Sequence, residues 1–251
     1  MLKKTISIVV VAALCGVAIP ARADDEKPSL LPESALGGKF TGTIAFTTEY
    51  FARGKSNTRP GVPGLQPTLT FEHDTGAYFS VFGSNVDKPP PEDSGKVEID
   101  YTLGFKGDLG DFGYDLSGVY VTYPGAKHPD GLDFDFFEFT AKGDYDLEWA
   151  KPYVGVSWSP EYQYNSGTEW YIQTGVEVPI GRYLTGMAHV GHSSFQNHVR
   201  ALNNDYWDWS VGLGTNVVGL DLKLEYVKTD LPKVQCVSSC DRVVLTVSKT
   251  F

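Results

Sequence analysis

The chain has 251 residues, 41% of them hydrophobic and 13% aromatic, and a formal charge of −10 at pH 7. So acidic a chain is repelled by phosphate backbones, which excludes nucleic acid as a partner. No run of 18 apolar residues follows the N-terminal segment, so no transmembrane helix is expected.

The start, "MLKKTISIVVVAALCGVAIPARADDE", has a basic head (Lys3, Lys4), an apolar core from Ile6 to Ile19 and the small-x-small exit Ala21-Arg22-Ala23. Residues 1–23 read as a secretory signal peptide, too short for a membrane anchor. Bulky Leu14 before Cys15 argues against a lipoprotein. Loss of Lys3, Lys4 and Arg22 makes the mature chain more acidic still and leaves two cysteines, Cys236 and Cys240. Outside the cytoplasm a disulfide between them is the default. Residues 24–38 are polar and read as a flexible periplasmic leader, and residues 39–251 as one domain.

From Lys39 the pattern has period two. "KFTGTIAFTTEYF" sets Phe40, Ile44, Phe46 and Tyr50 against Thr41, Thr43, Thr47 and Glu49. "KVEIDYTLGFKG" sets Val97, Ile99, Tyr101, Leu103 and Phe105 against Lys96, Glu98, Asp100, Thr102 and Lys106. "EWYIQTGVEVPI", "YWDWSVGLG" and "LDLKLEYVK" repeat the alternation, which predicts strands and no helices.

About twelve strands follow, and their connections alternate in length. Short ones begin near residues 74, 108, 179 and 217; long ones span 55–64, 88–95, 124–131, 160–167, 193–205 and 231–241. "GDYDLEWA" after Lys142 is longer than a tight turn and breaks the scheme. Short turns at one rim and long loops at the other predict an all-β fold, a transmembrane antiparallel up-and-down β-barrel of about 12 strands. A soluble sandwich also alternates, but its strands are shorter. Aromatic residues at strand ends (Tyr50, Phe51, Tyr123, Trp158, Trp170, Trp207, Trp209) fit interfacial girdles instead. Pro67 strains the reading, because a closed barrel has no free edge, and is expected where pairing lapses near the outer end of its strand.

The final "RVVLTVSKTF" is a patterned strand with Val243, Leu245, Val247 and Phe251 on one face. A terminal aromatic at Phe251 is similar to the C-terminal assembly signal of bacterial outer-membrane proteins. The expected partners are therefore outer-membrane lipid and lipopolysaccharide, the barrel-assembly machinery and small solutes.

The segment "FTTEYFARGKSN", followed by "LQPTLTFEHDTGAYFSVFGSNVD", resembles the TorF-like porin family of Gram-negative outer-membrane proteins. The shared pattern is Glu49-Tyr50, then Arg53-Gly54-Lys55-Ser56, then Gly83-Ser84-Asn85-Val86-Asp87, with Lys55 where the family is apolar. The resemblance implies a fold and a compartment, the bacterial outer membrane. It implies no substrate and no catalytic residue.

The polar faces carry the acids Glu49, Glu72, Glu98, Asp100, Asp115, Glu138, Glu169, Glu177, Asp208, Asp221 and Glu225, and fewer bases: Arg53, Lys96, Lys106, Lys142 and Lys223. An inward excess of carboxylates predicts a lumen that prefers cations. Twelve strands are intermediate between a filled barrel and an open channel, so a plugged structural or adhesive barrel is the competing expectation. A rim-located lipid hydrolase is the other alternative. His192 and Ser194 share a strand face, with Asn203, Asn204 or Asp205 as orienting partners. No third residue is fixed by sequence, so no catalytic residue is expected. His189, His192 and His198 lack consistent ligand spacing, and "KPPPEDSG" lacks the dense carboxylates of a calcium loop. No metal or other cofactor is expected. The reading is a porin-like channel for passive diffusion of small polar or cationic solutes.

Overall fold

The computed structural model describes Leu30 and residues 37–87, 95–127, 131, 133–198, 204–232, 236 and 240–251. The signal peptide, Asn203 and nearly all of the "KPPPEDSG" segment lie outside the described residues, as does the leader except Leu30, Gly37 and Gly38. Gly38 already belongs to the first strand.

Among the described residues fourteen strands follow in chain order. They are β1 (Gly38–Thr47), β2 (Phe51–Ala52), β3 (Lys55–Ser56), β4 (Gly64–His73), β5 (Ala77–Asn85), β6 (Val97–Leu109) and β7 (Phe112–Thr122). Then come β8 (Phe136–Tyr145), β9 (Lys151–Ser159), β10 (Glu169–Ile180), β11 (Leu184–Phe195), β12 (Tyr206–Val217), β13 (Leu220–Thr229) and β14 (Asp241–Thr250). All but β2 and β3 form one closed antiparallel barrel in which β1 pairs with both β4 and β14. Closure pairs the first strand with the last, the condition for crossing a bilayer with strands.

The alternation seen in the sequence becomes two faces. Outward, Leu69, Leu103, Phe139, Ile172, Val211, Leu224 and Leu245 are exposed; inward, Glu98, Asp100, Thr102, Ser157 and Ser193 are buried. A soluble barrel would reverse this arrangement. Trp158, Trp170 and Trp207 ring the long-link end, while Trp149 and Tyr183 are exposed at the short-turn end. Tyr50 and Tyr123 are not girdle residues: both are buried inside the long-link end, and Phe51 lies on a separate hairpin. Tyr50 keeps the parity of outward Ile44 and Phe46, but the chain has already left the barrel wall there, whereas Tyr123 has the parity of inward Asp115 and Val121.

The barrel closes at the C-terminus. Phe251 N–H donates to the Gly42 carbonyl (2.8 Å), and Gly42 N–H donates to the Phe251 carbonyl (3.2 Å). The Phe251 ring is exposed beside the Lys249 ammonium, 5.3 Å from its centroid. Below that point β1 has no β14 partner, and there Leu30 N–H donates to the Phe40 carbonyl (2.8 Å). The Pro67 difficulty resolves locally. The β4–β5 ladder stops at Thr68↔Phe82, and beyond it Asn85 takes over with its side chain, accepting from Leu65 N–H and donating to the Pro63 carbonyl. Cys236 and Cys240 form a disulfide in the β13–β14 link.

The β5–β6 link is tied down where it begins. Asp87 accepts from Lys96 Nζ (2.5 Å) and Arg59 (3.1 Å), and its N–H donates to the Asn57 carbonyl (2.9 Å). The Lys96 hydrogen bond holds the Asp87 carboxyl below its ordinary range. A depressed carboxylate contributes order above its unfolded pKa and loses it as pH falls through the folded value. Exchange protection at Asn57 and Asp87 should therefore hold from about pH 8 to about pH 5 and decline only below ~4. Protection already lost at about pH 5 would contradict the assignment.

Candidate functional site

After Thr47 the chain turns into the barrel. Phe51-Ala52 pairs with Lys55-Ser56, and Arg53 and Gly54 form the tip with φ of 47° and 71°. Two consecutive left-handed residues make the tight hairpin turn whose twist matches its strands, and glycine suits the second place. The base is anchored by the acidic-aromatic pair. Ser56 Oγ donates to Glu49 Oε1 (2.6 Å) and lies against the Thr58 carbonyl, and Arg242 Nε donates to Glu49 Oε2 (3.2 Å). Asn57 N–H donates to the Tyr50 carbonyl (2.7 Å) and Tyr50 N–H to Thr58 Oγ1 (2.9 Å). The Arg-Gly-Lys-Ser motif is thus an inward hairpin, and the Gly-Ser-Asn-Val-Asp motif meets its base through Asp87.

The tip crosses the lumen. Arg53 Nη2 donates to both oxygens of Glu138 on β8 (2.6 Å each), and Nη1 to both oxygens of Glu169 on β10 (3.0 and 2.9 Å). Its guanidinium lies 4.2 Å from the Tyr171 ring centroid. A Cβ on Gly54 would sit 2.7 Å from Asp208 Cβ on β12 and 3.1 Å from Thr229 Cβ on β13, so the tip touches the far wall. Lys55 lies over the rings of Tyr206 (4.8 Å) and Phe195 (5.5 Å), which explains a cation in a position read as apolar. The planar fork of arginine suits two carboxylates at once; lysine could not span them.

Sequence reasoning counted Arg53 among the inward bases of the barrel wall. It is inward, but on the hairpin tip and not on a wall strand, and its charge is taken up by Glu138 and Glu169. Glu98 and Asp100, read as lumen charges, are fully buried above this latch. Tyr50 Oη donates to Glu98 Oε1 (2.6 Å), and Tyr50, Phe82, Val86, Val121, Tyr123, Phe134 and Phe136 pack into one apolar cluster around them. Lys96 does not face the lumen: it is largely exposed and paired with Asp87.

Beneath the hairpin lies a cavity of about 200 Å³, bordered by Asp115, Lys142, Tyr153, Tyr171, Gln173, His189, Asp208, Lys223 and Glu225 among others. The wall pairs most of its charges: Lys106 with Glu72 (2.7 Å), Lys151 with Asp144 (3.0 Å) and Lys223 with Glu225 (2.7 Å). Asp115 accepts from Tyr78 Oη (2.9 Å), and Asp221 from Asn216 Nδ2 at a short turn (2.8 Å). Glu177 stands opposite Lys151 on the same face. Asp144, Lys151 and Arg242 were missed in the sequence, and His189 was weighed there only as a metal ligand.

His189 is the centre of a compact network. Nε2 lies 3.0 Å from Asp208 Oδ1 and 3.0 Å from Tyr171 Oη, and Nδ1 lies 3.0 Å from Tyr153 Oη. It has the parity of buried Met187 and Ser193, a signal legible in the sequence. His192 and Ser194 have the opposite parity and stand on the outward face, where the His192 ring lies 4.5 Å from Trp207. Asp205 Oδ1 accepts from Phe195 N–H and lies 3.3 Å from His198 Nε2, away from His192. The described residues bring no nucleophile, base and orienting acid together there. Among the described residues no group of three histidine, cysteine or carboxylate side chains is placed to hold a metal ion.

Solved structures with the same fold include the NanC porin (10% identity, TM-score 0.54) and the KdgM porin in complex with disordered oligogalacturonate (6% identity, TM-score 0.55). Each similarity covers 84% of this chain and 98% of the other. No curated protein matches the sequence. A family model matches residues 32–251, and the chain belongs to that family, described as bacterial protein of unknown function (Gcw_chp).

Proposed function

We propose that the protein is a channel of the bacterial outer membrane for small polar solutes, with a preference for cations, narrowed by the inward hairpin. The observation that carries this reading is a barrel apolar outside and charged inside, whose hairpin crosses the lumen yet leaves a polar cavity beneath it. The long links face outward, and the short turns face the periplasm. Asp115, Asp208 and Glu225 border the cavity and set the field there, whereas Glu98 and Asp100 lie behind the aromatic cluster. Asp208→Asn or Asp115→Asn should therefore reduce cation preference more than Asp100→Asn, read as reversal potentials across a salt gradient. Equal effects would remove the assignment of the field to the cavity.

A second reading, a plugged barrel without transport, is favoured by the burial of the latch and of the aromatic cluster above it. Liposome swelling separates the two. Vesicles carrying the channel should swell in glycerol and resist swelling in a trisaccharide. No swelling in glycerol would favour the plug.

A further inference from the structure

One register row of the barrel wall runs Asp115, Lys142, Gly155, Gln173 across β7, β8, β9 and β10. Gly155 contributes no side chain, so the row has a recess between a cation and an amide; the Gln173 side chain leans over it, 3.1 Å from where a Cβ would stand. All three side chains of the row border the cavity. Lys142 differs from the other lysines of this wall. Lys106, Lys151 and Lys223 each hold a carboxylate at 2.7–3.0 Å. The Lys142 ammonium is placed over the Tyr153 ring, 4.3 Å from its centroid, and among the described residues neither it nor the Gln173 amide has a hydrogen-bond partner. Glu177, Asp144 and Asp115 surround it beyond hydrogen-bonding distance. A half-buried ammonium with donors to spare favours an anionic group.

A free anion, however, meets a lumen dominated by carboxylates, and its approach is opposed. The same field favours an ammonium, and Asp115, directly across from Lys142, accepts among the described residues from Tyr78 Oη alone. A ligand with both charges a few bonds apart answers both ends of this row. A cavity near 200 Å³ is below the span usual for drug-sized ligands, so the molecule is small.

We propose that the Lys142–Gly155–Gln173 row is a binding site for a small zwitterion of the α-amino acid class. The carboxylate is held by Lys142 and Gln173, and the ammonium faces Asp115. This deepens the channel reading and rests on it for its physiological meaning, but binding is measurable without transport.

The test is calorimetric titration of the full-length protein, refolded in detergent, with alanine, lactate and ethylamine, alongside conductance of the same preparation. Alanine should bind at lower concentration than lactate or ethylamine. Lys142→Gln should weaken alanine binding by roughly tenfold or more, as loss of a charge-assisted hydrogen bond does. Gln173→Ala should weaken it less, and serves as the reading should Lys142→Gln not fold. Equal binding of the three solutes, or unchanged alanine binding in both variants, overturns the site even if the protein conducts. Alanine binding without conductance would uphold the site and count against the channel.

Discussion

Replacing Arg53 by alanine should open the lumen, raising single-channel conductance severalfold and adding slow transitions between current levels. The variant removes the guanidinium that ties the hairpin tip to both Glu138 and Glu169. Both carboxylates are almost fully buried, and breaking a buried ion pair by removing one partner costs about 3–5 kcal/mol. That cost falls on the closed arrangement. It is relieved when the hairpin withdraws and water reaches the acids, whereas the closed barrel itself keeps its ladders. At about 1.4 kcal/mol per tenfold, even ~3 kcal/mol moves the closed-to-open ratio by roughly a hundredfold. Arg53→Lys should behave almost as alanine does, because a single ammonium cannot serve two carboxylates as the fork does. Combining Arg53→Met with Glu138→Gln and Glu169→Gln should return conductance toward the native level by removing the unpaired charges. Native conductance in a folded Arg53→Ala protein would show that the hairpin does not limit the pore.

Gly191→Val should prevent normal folding or lower the folded yield sharply. A Cβ at residue 191 would stand 2.1 Å from Tyr171 Oη and 2.5 Å from its Cζ, so the tyrosine ring already occupies the space a side chain would need. Overpacking of this kind costs about 1–3 kcal/mol before any lost interaction is counted. Displacing Tyr171 also takes away the ring face beneath Arg53 and the hydroxyl shared with His189 and Asp208. Gly191→Ala should show the same defect in milder form. Gly83→Ala is the control, since its nearest atom would be 3.8 Å away. Heat-modifiable gel mobility reads all three. A Gly191→Val barrel as stable as the native one would mean that Tyr171 is not held in the glycine gap.

The barrel was legible because its signals are local and repeat. Alternation in β6, β10 and β13 gave the two faces, and link lengths gave the two rims. The "GDYDLEWA" anomaly is smaller than it looked, since β8 continues to Tyr145 and β9 starts at Lys151. The hairpin was hidden because Tyr50 keeps the parity of β1 after the chain has left the wall. Only the Arg53-Gly54 pair, flanked by short strand-forming runs, hinted at a turn. The latch could not be read at all, because Arg53 meets acids 85 and 116 residues away, and strand periodicity says nothing about which loop enters the barrel. His189 could have been found by counting from Met187, whereas its partners Tyr153, Tyr171 and Asp208 come from three other strands. The inward acids were placed on the correct face by parity, but parity does not tell a carboxylate beside a cavity from one sealed under aromatic rings, as at Asp100.

The most direct test of the account is the current through purified, refolded protein in a planar bilayer across a tenfold potassium chloride gradient (about 59 mV per decade for an ideal one-electron-charge carrier). The account predicts small discrete conductance steps with a reversal potential of the sign for potassium selectivity. No conductance, or a reversal potential of the opposite sign, would contradict it.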